Sequence, residues 1–363
     1  MSNTNDSDDF LLDEKLRNLR AERYIFQSIS RLAFPKERVS FCLRNKVPDK
    51  EIEVWRHTNT NKAFYAGLMV CGLFWICPVC AAKISERRRM ELKSAYDQHL
   101  ELGGFVSLLT LTFSHKKTDI LKDTLLKFSK STKRFMSGKR YQNFRDKIGF
   151  VGSIRAFEIT YGSNGFHPHV HIAIFHDNDV DLKALEKELF PQWEKACLSN
   201  GLTTGERYGL KLENGEKAND YMAKFGTWGL DREMTKSHMK KGKKDSLSPF
   251  DFLRNYHLDG KQKWLNLFIE YGQAMKGKIQ LFWSRGLKSR FLIEDKTDEE
   301  VAKEKIEKAD LLGHISYPDW KIILRHEKRS QILDICEKKG FDELRLYIRN
   351  LDNCDENNNK KAF

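Results

Sequence analysis

The chain has 363 residues, with 64 Lys and Arg against 51 Asp and Glu, a formal net charge of +13. That length supports two or three domains around a sizeable core, and the charge points to a polyanionic partner, most often nucleic acid. No apolar run is long enough to span a membrane, and the polar, acidic start Met-Ser-Asn-Thr-Asn-Asp-Ser-Asp-Asp resembles neither a signal nor a transit peptide, so the sequence predicts a cytoplasmic protein with no membrane partner.

Residues 1–40 read as an acidic tail and a short amphipathic segment. Residues 41–103 read as a cysteine-rich subdomain plus a helix. Four of the seven cysteines fall here: Cys77-Pro-Val-Cys80, Cys71 just upstream and Cys42 further back. An odd total argues against a disulfide framework. A C-x-x-C knuckle with two more thiols can close a tetrahedral structural zinc site and staple a subdomain without a core of its own. His57 is an alternative ligand. A thioredoxin-like redox pair would want a βαβ setting, and a polar helix follows instead. That helix is expected from Ala81 through Ile84, Met90, Leu92, Tyr96 and Leu100 to Gly103-Gly104. Its Arg87-Arg88-Arg89 reads as a phosphate-contacting edge or, at least as well, a solvated face.

Phe105–Phe113 reads as a buried strand, with Thr110 and Thr112 on one face and Leu109, Leu111 and Phe113 on the other. A helix over about 118–136 follows. The stretch to Lys147 carries Lys127, Lys130, Lys133, Arg134, Lys139, Arg140, Arg145 and Lys147, interleaved with Phe128, Phe135, Tyr141 and Phe144. Cations among aromatics suit single-stranded nucleic acid through phosphate charge and base stacking, and suit equally a helix whose aromatic side is buried.

Arg155–Tyr161 and Phe166–Phe175 both alternate, and Gly162-Ser-Asn-Gly165 is turn chemistry. Val170, Ile172 and Ile174 would face one side, and His167, His169 and His171 the other. A symmetric hairpin centred on Ser163-Asn164 sets Glu158 opposite His169. Glu158, His169 and His171 would then converge on one face, a set suited to a catalytic divalent ion with open positions. The bland reading is histidines on a solvated strand.

Beyond the hairpin, helices are expected near 181–199 and 216–226, a short strand at Tyr208–Leu212, a mobile Lys-rich loop over 232–247, and mostly helix from Pro249, anchored by Trp264, Phe268, Phe282 and Trp283. Hairpins and helices with antiparallel character favour an α+β fold. The 216–226 helix carries Tyr221-Met-Ala-Lys224, which sets a tyrosine and a lysine on one helical face. A phenol beside a cation is an apt phosphoryl-transfer nucleophile, although most such tyrosines simply pack.

Together, Leu109-Thr-Leu-Thr-Phe113, His169-Val-His171 and Tyr221-x-x-Lys224 resemble the HUH endonucleases, and more narrowly the rolling-circle replication initiator (Rep) proteins of small bacterial plasmids. Cys71-x5-Cys77-Pro-Val-Cys80-Ala-Ala-Lys-Ile-Ser-Glu-Arg-Arg, Gly165-Phe-His-Pro-His-Val-His171, Glu233-Met-Thr and Ser248-Pro-Phe250 carry the likeness further, from about Arg38 to Lys288 and more loosely to Ala302. The resemblance implies an antiparallel-sheet HUH nuclease core over residues 104–290, flanked by helices, an N-terminal zinc-binding subdomain holding Zn²⁺ through Cys42, Cys71, Cys77 and Cys80, and a helical C-terminal region over 291–363. It implies an enzyme that recognises the plasmid double-strand origin and nicks one strand. Tyr221, aided by Lys224, would join to the 5′ end, while His169, His171 and Glu158 hold Mg²⁺ or Mn²⁺. Single-stranded DNA, a host helicase and a second copy of the chain are the further partners expected.

One position departs from the family pattern. Some relatives read Glu-x-Ala-Lys-Tyr where this chain reads Tyr221-Met-Ala-Lys-Phe225. Tyr221 is then the nucleophile, and the glutamate thought to activate a terminating water is missing from its usual place. Termination would fall to another acid, a second protomer or a second transfer onto Tyr221. Competing readings are an HUH transposase or relaxase, a non-catalytic zinc-dependent DNA-binding protein, and a hydrolase of small phosphoesters.

Overall fold

The computed structural model describes residues 5–215, 246–304 and 308–360. The strands among them are β1 (Ile52–His57), β2 (Ala63–Ala66), β3 (Phe105–Leu111), β4 (Phe150–Gly162), β5 (Gly165–His176), β6 (Leu210–Glu213), β7 (Leu281–Trp283) and β8 (Ala309–Ile315). The helices used below are α1 (Asn5–Ala33), α2 (Pro78–Glu101), α3 (Leu121–Ser137), α4 (Lys139–Ile148), α5 (Leu182–Leu198) and α6 (Pro249–Asp259). The fold is α+β with antiparallel sheets, and no described helix is long and apolar enough to cross a membrane. The chain divides into two compact units, one of Met1–Ala81 with Asp298–Phe363, the other of Ala82–Thr297.

In the first unit the sheet order is β2-β1-β8, all antiparallel. Alternation along β1 buries Ile52 and Val54, which join Tyr24, Tyr65, Ile315, Trp320, Ile323 and Ile332 in one core. Arg329 is fully buried beside it, donating through Nη1 to Gln27 Oε1 at 2.7 Å and to the Leu43 carbonyl at 3.1 Å.

The second unit is built on a five-stranded sheet, β6-β3-β5-β4-β7. One face carries Leu109, Leu111, Val170, Ile172 and Ile174, packed against Phe128 and Phe135 of α3, Tyr141 and Phe144 of α4, and Leu189 and Trp193 of α5. The other carries Leu108, Ile154, Ala173 and Phe175, covered by Leu92, Ala95 and Tyr96 of α2. A strand covered on both faces reads as a continuous apolar run, which is why β3 lacks clean alternation. The β4–β5 ladder is the long one, and its register is the symmetric one, with Gly162 opposite Gly165, Tyr161 opposite Phe166 and Glu158 opposite His169. Neither Ser163 nor Asn164 takes a positive φ. Gly165 does, at +89°, and a Cβ there would lie 3.0 Å from Lys117 Cα. The turn's twist therefore falls on the one residue that adopts it without steric cost.

Several expectations are corrected. The N-terminal segment is one long helix, α1, rather than a tail and a short segment. The stretch after α3, read only as basic, forms a further helix, α4, whose left-handed cap Gly149 ends it before β4. Phe282 and Trp283 lie on edge strand β7, and β8 interrupts the helices near the C-terminus. Local apolar content cannot reveal such short strands, because their partners lie far away in sequence. The expected 216–226 helix and the mobile loop over 232–247 fall almost wholly outside the described residues, which resume at Ser246.

Trp193 is fully buried and its indole N–H donates to the Thr112 carbonyl at 3.0 Å. Trp193→Ala is expected to cost about 3–5 kcal/mol in urea unfolding, whereas Leu198→Ala on the solvent side of the same helix stays within about 0.5 kcal/mol of the parent.

Candidate functional site

Cys42 follows a 3-10 turn, Cys71 precedes Gly72, and Cys77 and Cys80 open α2 with Pro78 in its first turn. Gly72 takes a φ of +64°, and a Cβ there would sit 2.9 Å from Glu299 Cα, so the knuckle needs a glycine. The four Sγ atoms are buried and lie within 4.8 Å of one another. Individual separations are 3.5 Å for Cys71–Cys80, 3.6 Å for Cys42–Cys80 and 3.8 Å for Cys77–Cys42. A tetrahedron with metal–sulfur bonds near 2.3 Å has edges of about 3.8 Å. The four thiols therefore have the spacing of a closed tetrahedral centre, and they could hold a metal ion such as zinc. Without a metal they compete for protons. Burial pushes the Cys77 thiol up, but hydrogen bonds from Cys42, Cys71 and Cys80 outweigh it and hold Cys77 well below the usual thiol range. Hydrogen bonding among the cluster raises Cys42 and Cys80 instead. His57 takes no part in this cluster. Its Nδ1 accepts from the Asn59 and Thr60 amides at 3.1 and 3.3 Å, closing the β1–β2 turn.

The second cluster lies on the α2 side of the five-stranded sheet, towards the β4–β5 hairpin. There the face changes from Phe175 and Ala173 to His171, His169 and His167, with Glu158 on β4 and Thr110 and Thr112 at the end of β3. His171 Nε2 is 2.9 Å from Glu158 Oε2. Two ligands at right angles on an ion with bonds near 2.1 Å would be about 3.0 Å apart, so this pair fits neighbouring positions on a hard divalent ion. The His169 ring lies tilted against His167 with centroids 3.9 Å apart and 6.0 Å from the His171 ring, and among the described residues its buried Nδ1 has no hydrogen-bond partner. Burial, then the neighbouring imidazole, holds His169 near a pKa of about 3 and His167 near about 4. Both rings are neutral at physiological pH, the form that binds metals. Among the described residues the four cysteines alone bring three or more such ligand atoms within 4.8 Å of one another.

Two threonines orient the rings from behind. Thr110 Oγ1 lies 3.0 Å from His171 Nδ1, and Thr112 Oγ1 lies 2.8 Å from His167 Nε2. With Nδ1 held by Thr110, the His171 Nε2 is the atom presented to Glu158. His115, not singled out in the sequence, stacks on His167 at 4.4 Å and extends the row to four imidazoles. It follows the end of β3, where no alternation marks it.

Tyr221 and Lys224 lie outside the described residues. The chain leading to them leaves β6 beside β3, with the Gly215 carbonyl accepting from Tyr96 Oη at 3.0 Å, and the chain after them returns to the hairpin, where Leu247 and Tyr161 exchange two 2.8 Å backbone bonds. Ser248-Pro-Phe250 is the N-terminus of α6. Asp251 accepts from the Ser248 amide at 2.6 Å in a capping box, and Phe252 meets the Tyr161 and Phe166 rings edge-on.

Residues 70–183 match a protein family described as "Replication protein". The chain is 28% identical over 289 residues to "Protein rep" of Streptomyces lividans, covering 61% of this chain and 63% of that one. It is 30% identical over 152 residues to "Neomycin resistance protein" of Streptomyces cyanogenus, covering 35% of each. The chain thus spans less than two thirds of the length of both relatives. No solved structure matches.

Metal analysis of the purified chain is expected to find about one tightly held ion, such as zinc, at the four-cysteine centre. Cys80→Ser should lose that ion and lower the melting temperature of the first unit. A parent protein free of such metal, with four thiols freely titrating under native conditions, would contradict the centre.

Proposed function

We propose that the chain, whose residues 70–183 match a family described as "Replication protein", initiates plasmid rolling-circle replication by nicking and rejoining one DNA strand at the double-strand origin. The observation that supports the reading is the Glu158–His171 pair, spaced for neighbouring positions on a divalent ion, with neutral His169 on the same face.

When bound there, Mg²⁺ or Mn²⁺ would polarise a non-bridging oxygen of the scissile phosphate. His169, His171 and Glu158 would hold it, with Thr110 fixing the His171 ring. The Tyr221 phenolate oxygen attacks the phosphorus in line, and a P–O bond forms. The bond to the 3′ oxygen breaks, and that oxygen leaves as the 3′ hydroxyl after taking a proton. The 5′ end stays on the enzyme as a phosphotyrosine diester. Lys224, three residues along the chain, would favour the phenolate and offset phosphate charge. The attack of the 3′ hydroxyl on the diester reverses these steps and rejoins the strand. We assign Zn²⁺ to Cys42, Cys71, Cys77 and Cys80 as a structural ion, and a cytoplasmic location follows from this role.

Incubation with supercoiled DNA carrying the cognate origin and Mn²⁺ is expected to give a protein–DNA adduct that survives denaturation. Tyr221→Phe should abolish it. An adduct that persists in the variant moves the nucleophile elsewhere, and tight DNA binding with no adduct from the parent favours a non-catalytic DNA-binding protein. Thr110→Val should weaken Mn²⁺ affinity about 10- to 100-fold by calorimetry while leaving the fold intact.

A further inference from the structure

The cations between Lys127 and Lys147 are exposed, but Phe128, Phe135, Tyr141 and Phe144 are all buried. The rings interleaved with those charges therefore cannot stack on bases. Aromatic surface is available instead where β4 meets β7. Arg155 and Phe282 pair directly across these strands, on the face of the sheet away from the histidines. The Arg155 guanidinium lies over the Phe282 ring, 4.8 Å from its centroid, while Phe282 remains 52% exposed on the terminal strand of the sheet.

The surroundings of Arg155 are electrostatically incomplete. Among the described residues no carboxylate pairs with it. Its Nη1 contacts Met136 Sδ at 3.8 Å, and its buried Nε has no partner among the described residues. The Tyr141 hydroxyl, within electrostatic reach of Arg145 and Arg155, is also buried without a partner. Arg145 sits 4.0 Å over the Phe150 ring, and Lys139 and Arg140 are exposed nearby in sequence, none of them ion-paired among the described residues. A half-buried guanidinium without a counter-charge is costly, and a phosphate would supply that charge. An exposed ring backed by a guanidinium is a stacking platform.

We propose that this β4–β7 edge is a docking surface for single-stranded DNA. An unpaired base stacks on the outer face of Phe282, and adjoining phosphates are held by Arg155 and Arg145. The inference rests on the nucleic-acid reading above and assigns a surface to the displaced strand. Duplex DNA fits less well, because its base faces are already stacked and Phe282 would gain no partner. A strand bound here lies on the opposite side of the sheet from Glu158 and His171, so it is held and not cut.

The test uses the full chain in buffer free of Mg²⁺ and Mn²⁺, with fluorescence anisotropy of a labelled oligothymidylate of about 20 nucleotides and of a duplex of equal length. Phe282→Ala and Phe282→Leu are expected to weaken single-strand binding roughly 5- to 150-fold, with duplex binding nearly unchanged. Arg155→Lys should weaken single-strand binding and lower its salt dependence. Urea midpoints report whether each variant folds, and Phe282 is exposed enough for its variants to do so. Unchanged single-strand binding in folded variants overturns the proposal, as does equal weakening for both DNAs, which would mark a duplex surface. The Tyr221 adduct, measured on the same variants at saturating DNA, tests the nicking reading independently. An adduct with unchanged single-strand affinity sinks only the docking surface, and no adduct and no DNA binding by the parent sinks both.

Discussion

The β4–β5 ladder is the constraint on which the second unit depends. Its side-chain period is two, so a slip of one residue would move Val170, Ile172 and Ile174 out of the core and drive three imidazoles into it. The buried face therefore fixes the register more firmly than the turn does. Once Leu109, Phe128 and Trp193 claim one face, His167, His169 and His171 must share the other. The same register sets Glu158 across from His169 and one diagonal step from His171, within hydrogen-bond reach. The chemistry of the site is thus inherited from packing on the far side of the sheet.

That dependence explains what was legible in the sequence. The alternation over 166–175 and the Gly162–Gly165 turn are local signals, and the observed pairing is the one they predict. The C-x-x-C and its upstream cysteines were equally readable, since few other environments gather four thiols. The interleaved cations and aromatics of 127–147 left two readings open, and helical geometry separates them. At 100° per residue, Phe128 and Phe135 share the face of Leu121 and Leu125, while Lys130 and Lys133 point away. Their alternation along the chain is not proximity in space. The β1–β8 and β4–β7 pairings were not legible, because each joins residues more than a hundred positions apart.

The first unit solves a different problem. Around its cysteines the chain is mostly turns, and four thiols lie side by side in a buried space. Such an arrangement is poor as a metal-free core, because neighbouring sulfurs must share protons and one of them, Cys77, is driven towards the thiolate. Gln27 supplies one further donor, its Nε2 lying 3.4 Å from Cys77 Sγ. A tetrahedral ion takes up all four sulfurs at once, so binding and local folding become one equilibrium.

The two faces of the large sheet then divide the work by charge. On the histidine face His167 and His169 are held neutral by burial beside His171 and Glu158, an environment able to concentrate a divalent cation. On the opposite face, at the β7 edge, Arg155 is paired with no carboxylate among the described residues, an environment able to hold phosphate. On a single face the guanidinium would repel a bound cation, and the acidic ligand of the cation site would compete with phosphate for the guanidinium. The thickness of the sheet separates them. On the proposed reading, that separation would let one part of a DNA strand be positioned for chemistry while another is retained, without either distorting the electrostatics the other needs.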